Sequence, residues 1–190
     1  MVDKPLTLAS NDFELFAVPA RFAQDPAALD ARWKELQREA HPDRFAAQGV
    51  AAQRQAMQWS VRINEAYQRL KHPLKRAAYL CELAGAPINA ENNTAMPADF
   101  LIEQMQWREA LDDASSEADI ARLLEQVNQA RVGALQHCEE LLDVRHAPDQ
   151  AVGQVRAMMF IERFSHDVES RLDDFQNPPA DMAGTTGQAT

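Results

Sequence analysis

Apolar residues recur at helical spacing along nearly the whole chain, and nowhere do they alternate with polar ones over more than a few positions. That excludes a sheet-based fold, because a half-buried strand needs a period of two. Composition agrees: Ala, Glu, Gln, Leu and Arg dominate, Val, Ile and Thr are sparse, and only 6 Gly occur in 190 residues. Straight-chain residues lose little freedom in a helix, whereas β-branched ones lose more. The sequence predicts an all-α protein.

Prolines and caps divide it. Asn11 or Asp12 caps a short helix through Phe13, Leu15 and Phe16, ended by Pro19. A second helix starts at Pro26 with Asp25 as its cap and carries Leu29, Trp33, Leu36 and Ala40. It stops near His41, since the residue before Pro42 is biased away from the α region. After a loop, a third helix runs over 50–70 with Ala56, Trp59 or Ser60, Ile63, Ala66 or Tyr67, and Leu70 inward. Pro73 opens a fourth, closed by Gly85 and Pro87. Residues 85–96 read as a linker, in which Asn92-Asn93-Thr94 matches a glycosylation acceptor by chance. Helices over 97–114, 117–146 and 148–175 follow, with turns short enough to imply an antiparallel three-helix bundle. The last is expected to bury Val155, Met159, Val168, Leu172 and Phe175. The tail 177–190 has little to bury and is expected to be disordered. The expected domains are 1–84 and 97–176.

Charge and cysteine usage narrow the function. A net charge of −10 argues against nucleic acid or an anionic membrane surface as partner. No apolar run approaches a membrane span, and the first ten residues carry no visible leader pattern. Cys81 and Cys138 are too few for a disulfide framework and read as buried free thiols in a reducing, cytoplasmic setting.

The most specific feature is His41-Pro42-Asp43-Arg44-Phe45 between two antiparallel helices. The second of these ends in Ile63-Asn64-Glu65-Ala66-Tyr67-Gln68-Arg69-Leu70, followed by Pro73, Arg76, Ala77 and Tyr79. Pro42 stiffens the corner, so His41 and Asp43 project from a fixed base. A carboxylate there can take a bidentate Arg from a partner. Arg32, Lys34, Arg38 and Arg44 supply a basic patch on an acidic chain, although Asp30, Glu35 and Glu39 dilute it. Together these residues resemble a J domain, with its helical hairpin and HPD loop. The resemblance implies that the loop contacts a seventy-kilodalton heat-shock ATPase and accelerates its hydrolysis, with no bond-making of its own.

Beyond it, Arg76-Ala77-Ala78-Tyr79-Leu80, Gly85, the linker and a helical C-terminal half are similar to the HscB-type J proteins of iron–sulfur cluster assembly. General J proteins follow this Tyr with Asp and a Gly/Phe-rich stretch, and both are absent. This implies an ATPase of the HscA or DnaK type and the cluster scaffold IscU as partners. The helix over 97–114 has more apolar residues than one buried stripe needs: Phe100, Trp107, Leu111 and Ala114 can face the bundle, leaving Leu101, Ile102 and Met105. The resemblance makes Leu101, Ile102, Met105, Glu109 and Phe160 the scaffold-binding patch. Gln106 stands where that family can place an acidic residue.

No catalytic residue, metal or cofactor is expected. The five histidines form no HExxH pattern and no Cys-x-x-Cys pair exists. There is no glycine-rich phosphate loop and no nucleophile elbow. Two alternatives remain: a J protein for another client, or a helical metal-dependent enzyme using His41, Asp43 and His72.

Overall fold

The computed structural model describes residues 6–89 and 96–176; the Asn92-Asn93-Thr94 triplet and the tail lie outside them. Among the described residues every regular element is helical. In order they are α1 (Asp12–Phe16), α2 (Pro26–Glu39), α3 (Val50–Lys71), α4 (Pro73–Leu83), α5 (Ala98–Asp113), α6 (Glu117–Glu139) and α7 (Pro148–Gln176). A 3₁₀ helix, Pro42–Gln48, fills most of the expected loop before α3, and α6 runs on as a π-helical turn, Glu140–Val144.

Contacts divide the chain into two compact units, and the division does not follow chain order. The first combines Met1–Ile88 with Cys138–Val152; the second combines Asn89–His137 with Gly153–Thr190. The turn between α6 and α7, inside the stretch 97–176, groups with the first unit. Cys138, Leu141 and Ala151 are buried there, and the Asp143 carboxylate is bonded to backbone at Phe22 and Ala23.

In the first unit, five-residue α1 is too short to persist alone. A capping box starts it: Glu14 N–H donates to Asn11 Oδ1 at 2.9 Å and Asn11 N–H to Glu14 Oε2 at 3.1 Å. Burial then holds it, because Phe13, Leu15 and Phe16 enter one core with Leu29 and Leu36 of α2 and Ile63, Ala66, Tyr67 and Leu70 of α3. Asp12, expected as a possible cap, is instead buried, with Arg62 at 2.6 Å and Arg69 at 3.0 Å on its two carboxylate oxygens. α4 ends in a Schellman turn: Gly85 takes φ +80°, and Ala86 N–H reaches Cys81 C=O at 2.9 Å.

In the second unit, Phe100 and Trp107 of α5 pack against Phe160 and Phe164 of α7, with ring centroids 5.7 Å and 5.9 Å apart. α5 therefore runs parallel to α7. Gln176 at the end of α7 donates to Glu117 at the start of α6 at 2.7 Å, so those two are antiparallel.

The expected stripe of α7 needs correcting. Met158 is 2% exposed and Met159 37%, and Phe175 is also exposed, with Arg171 over its ring. The buried face descends Val155, Met158, Ile161, Phe164 in steps of three before a step of four to Val168. Each three-residue step falls roughly 60° short of a full turn, so the stripe winds round the helix and a fixed four-residue step leaves it. Met158→Ala is accordingly expected to cost about 2–3 kcal/mol. Met159→Ala should cost under about 0.5 kcal/mol. Urea unfolding of the two variants makes the comparison.

Candidate functional site

α2 ends where Ala40 N–H donates to Leu36 C=O at 2.9 Å. His41 then turns extended, at φ −65° and ψ 125°, as a residue before proline must. Pro42 opens the 3₁₀ helix, and Arg44 N–H closes its first turn on His41 C=O at 3.0 Å. The His41 Nδ1 accepts the Asp43 N–H at 3.3 Å, so the neutral ring carries its proton on Nε2. His41 and Asp43 side chains are 57% and 90% exposed. The corner thus presents an imidazole donor and a carboxylate to solvent, both on fixed backbone. Arg44 ties it down further by donating to Arg38 C=O at 3.2 Å.

A polar clasp joins α2 to α3 one to two helical turns before this corner. Asn64 Oδ1 accepts from Trp33 Nε1 at 2.9 Å and Gln37 Nε2 at 2.7 Å, and Ser60 Oγ donates to Gln37 Oε1 at 2.8 Å. Trp33 also stacks on Tyr67 at 4.9 Å. A cleft of about 400 Å³ lies behind the 3₁₀ helix, walled by Leu36, Phe45, Ala56, Trp59 and Ile63.

The four expected cations do not form one patch. Arg32 pairs with Glu35 at 3.1 Å, while Lys34 and Arg38 stand roughly 160° and 120° round the helix from it. Lys34, Arg38 and Arg44 remain exposed. Asp30, on the Lys34 side, is less of an opposing charge than the sequence implied. Its Oδ1 accepts from Tyr67 Oη at 2.6 Å and Lys71 Nζ at 3.2 Å. The Tyr67 bond, then the Lys71 bond, holds the Asp30 carboxyl below its ordinary range, and Lys71, which donates to Tyr67 Oη at 2.6 Å as well as to Asp30, is lifted above its own.

On the second unit, Leu101, Ile102, Met105 and Glu109 share one exposed face of α5, opposite buried Phe100 and Trp107. Ile102 and Met105 are 59% and 70% exposed. Phe160 differs from these four. It is half-buried on α7, edge-on to Phe100, with the Arg108 guanidinium 5.3 Å from its ring centroid.

The metal-dependent enzyme finds no support in the side chains. Among the described residues no three His, Cys, Asp or Glu are grouped to hold a metal ion, so His41, Asp43 and His72 are not a ligand set. Neither cysteine is in a disulfide and both are buried; burial raises Cys81 to about 11 and Cys138 to about 12, keeping them protonated and poorly nucleophilic. No helix among the described residues is long and apolar enough to cross a membrane. Sequence reasoning missed the Asn64 clasp, the Asp12 pair and Asp143. Only the Asn64 clasp had a local trace, as polar residues one helical turn apart on an otherwise apolar α3 face.

Comparison with known proteins agrees with both halves of this description. The family model described as the HSCB C-terminal oligomerisation domain matches residues 96–169. The co-chaperone protein HscB homolog of Burkholderia multivorans is 45% identical over 172 residues, covering 88% of this chain and 97% of that protein. Its counterpart in Bordetella parapertussis is 45% identical over 163 residues, covering 85% and 96%. Among solved structures, chaperone HscB from Vibrio cholerae superposes with a TM-score of 0.76 at 33% identity, covering 87% of this chain and 99% of that one. Human co-chaperone HscB gives a TM-score of 0.79 at 26% identity, covering 86% and 82%. With the HPD corner on its first unit and relatives matched over nearly their full length, the chain belongs to the HscB family of co-chaperones.

Proposed function

We propose that this chain binds the iron–sulfur scaffold IscU, delivers it to a seventy-kilodalton heat-shock chaperone of the HscA type in the cytoplasm, and stimulates that chaperone's ATPase to promote cluster transfer. The observation that carries the reading is the His41–Pro42–Asp43 corner, whose two polar side chains stand in solvent on a backbone shaped by Pro42 and the turn it opens. Lys34, Arg38 and Arg44 flank it and suit an acidic surface on the ATPase; Arg32, paired with Glu35, contributes less.

The chain itself makes and breaks no bond. A co-chaperone accelerates hydrolysis only by binding the hydrolysis-competent state of its partner more tightly than the resting state. A tenfold stimulation needs about 1.4 kcal/mol of that difference, within reach of a few charge-assisted hydrogen bonds from one rigid corner. The scaffold would dock on Leu101, Ile102 and Met105, with Glu109 as a polar contact and Phe160 as the aromatic beside them. Carrying both sites on one chain raises the effective concentration of scaffold at the ATPase.

Leu101→Ala with Met105→Ala tests the scaffold half. Scaffold affinity measured by calorimetry should fall by about 2 kcal/mol, roughly thirtyfold, if the two are anchors. Stimulation of the ATPase by the variant alone should persist. Unchanged scaffold affinity would remove the α5 face as the docking site and leave a J protein for another client.

A further inference from the structure

The turn between α6 and α7 carries a carboxylate that the co-chaperone reading leaves unused. Asp143 lies in the π-helical turn Glu140–Val144. Its Oδ1 accepts the Phe22 N–H at 2.6 Å and its Oδ2 the Ala23 N–H at 2.7 Å, across 121 and 120 sequence positions. Two adjacent backbone amides on one carboxylate make a directional, charge-assisted clamp. The turn that presents it is braced: Arg145 meets Glu140 at 3.1 Å, and Ala147 N–H donates to Leu141 C=O at 2.8 Å. A π-helical turn holds more residues than an α-helical one and re-aims the side chains it carries.

The clamped segment leads directly into α2. Gln24 Nε2 donates to the carbonyls of Pro19 and Arg21, both at 2.8 Å, so the segment is also folded on itself. Asp25, two residues past Ala23, caps α2 by accepting the Ala27 N–H at 2.9 Å. Phe22 is buried with its ring 5.0 Å from the Arg76 guanidinium, and Arg76 donates to the Leu70 and Lys71 carbonyls at the end of α3. Asp143 therefore grips the point from which α2 departs, beside the point where α3 ends. The far end of α2, 14 residues on, delivers His41. A helix of that length acts as a stiff strut of roughly 20 Å.

We infer that Asp143 is a positioning residue for the co-chaperone loop: by clamping the Phe22 and Ala23 amides it sets the start of α2 and, through that helix, the placement of the His41–Asp43 corner. The inference rests on the co-chaperone reading. It adds to that reading that the J-type unit is completed by a turn contributed from the C-terminal half of the chain.

Full-length Asp143→Asn and Asp143→Ala test it. Asn keeps one acceptor oxygen and sets an NH₂ group against the other amide, so it is the milder change should Ala unfold the protein. Both should speed hydrogen exchange at Phe22 and Ala23 at least tenfold, and that of the first amides of α2 with them. The maximal stimulated ATPase rate should drop at least threefold, while scaffold binding by the α5 face stays within twofold. Simple destabilisation would reduce only the active fraction, raising the concentration for half-maximal stimulation and leaving the maximum intact. An unchanged maximum, or unchanged exchange at Phe22 and Ala23, overturns the inference. If the wild-type protein stimulates no ATPase, the co-chaperone reading falls. The positioning role is then judged by exchange alone: wild-type protection at the start of α2 and at Asp43 in Asp143→Asn overturns it.

Discussion

Replacing His41 with Gln is expected to abolish ATPase stimulation while leaving the fold and scaffold binding in place. His41 is more than half exposed and packs into no core, so the substitution should shift folding stability by no more than about 0.5 kcal/mol. What it removes is local. The ring nitrogen that accepts the Asp43 N–H is lost, and with it the constraint that aims the opposite N–H outward. A Gln side chain has more rotamers, and its amide cannot place an acceptor at the Nδ1 position and a donor at the Nε2 position together. Treated as an interface anchor, the loss is about 2 kcal/mol or more, some thirtyfold in the stimulated increment. Steady-state ATP hydrolysis by the purified chaperone, with and without scaffold, gives the comparison. Stimulation by the variant equal to wild type would reduce the corner to a helix stop and turn.

The largest stability effect is expected at Asp12. Its carboxylate is fully buried and bonded on both oxygens, to Arg62 at 2.6 Å and Arg69 at 3.0 Å, while its backbone N–H donates to Tyr79 Oη at 3.1 Å. Removing one member of a buried ion pair commonly costs 3–5 kcal/mol, because the remaining charge is stranded. Here the lower end applies. Arg62 keeps its bonds to the Leu8 and Ser10 carbonyls, and Arg69 is exposed enough to regain water. Asp12→Ala should therefore lose about 3 kcal/mol in urea unfolding. Arg69→Ala, which leaves Arg62 on the carboxylate, should lose markedly less. Equal losses would show that the Arg69 bond carries most of the pair.

The elements were legible because their signals are local. Asp25 before Pro26, Pro42 after His41, Pro73, and Gly85 before Pro87 each act within one turn of helix, and each bounds an element in the structure. The exposed face of α5 was legible for the same reason: helical spacing alone sets Leu101 and Met105 opposite Phe100 and Trp107. The α7 stripe was only partly legible. Val155 and Val168 are buried as expected, but the choice of Met158 over Met159 depends on which neighbours the winding stripe meets.

Pairings between distant parts of the chain left no comparable trace. Nothing local separates the capping role of Asn11 from the buried ion pair of Asp12, since both residue types cap helices well. Nothing around Arg32, Lys34 and Arg38 says which of them turns back toward Glu35 and which faces solvent. The sequence by itself determined an all-helical chain, most of its helix boundaries and the HPD corner, because propensity, caps and proline geometry act over a few bonds. Only the tertiary structure decided that Cys138–Val152 completes the first unit, that Asp143 clamps Phe22 and Ala23, and that Asp12 meets Arg62 and Arg69. Those contacts join residues 50 to 121 positions apart, and their partners are chosen by burial and charge pairing in the folded core, where an unpaired carboxylate is costly.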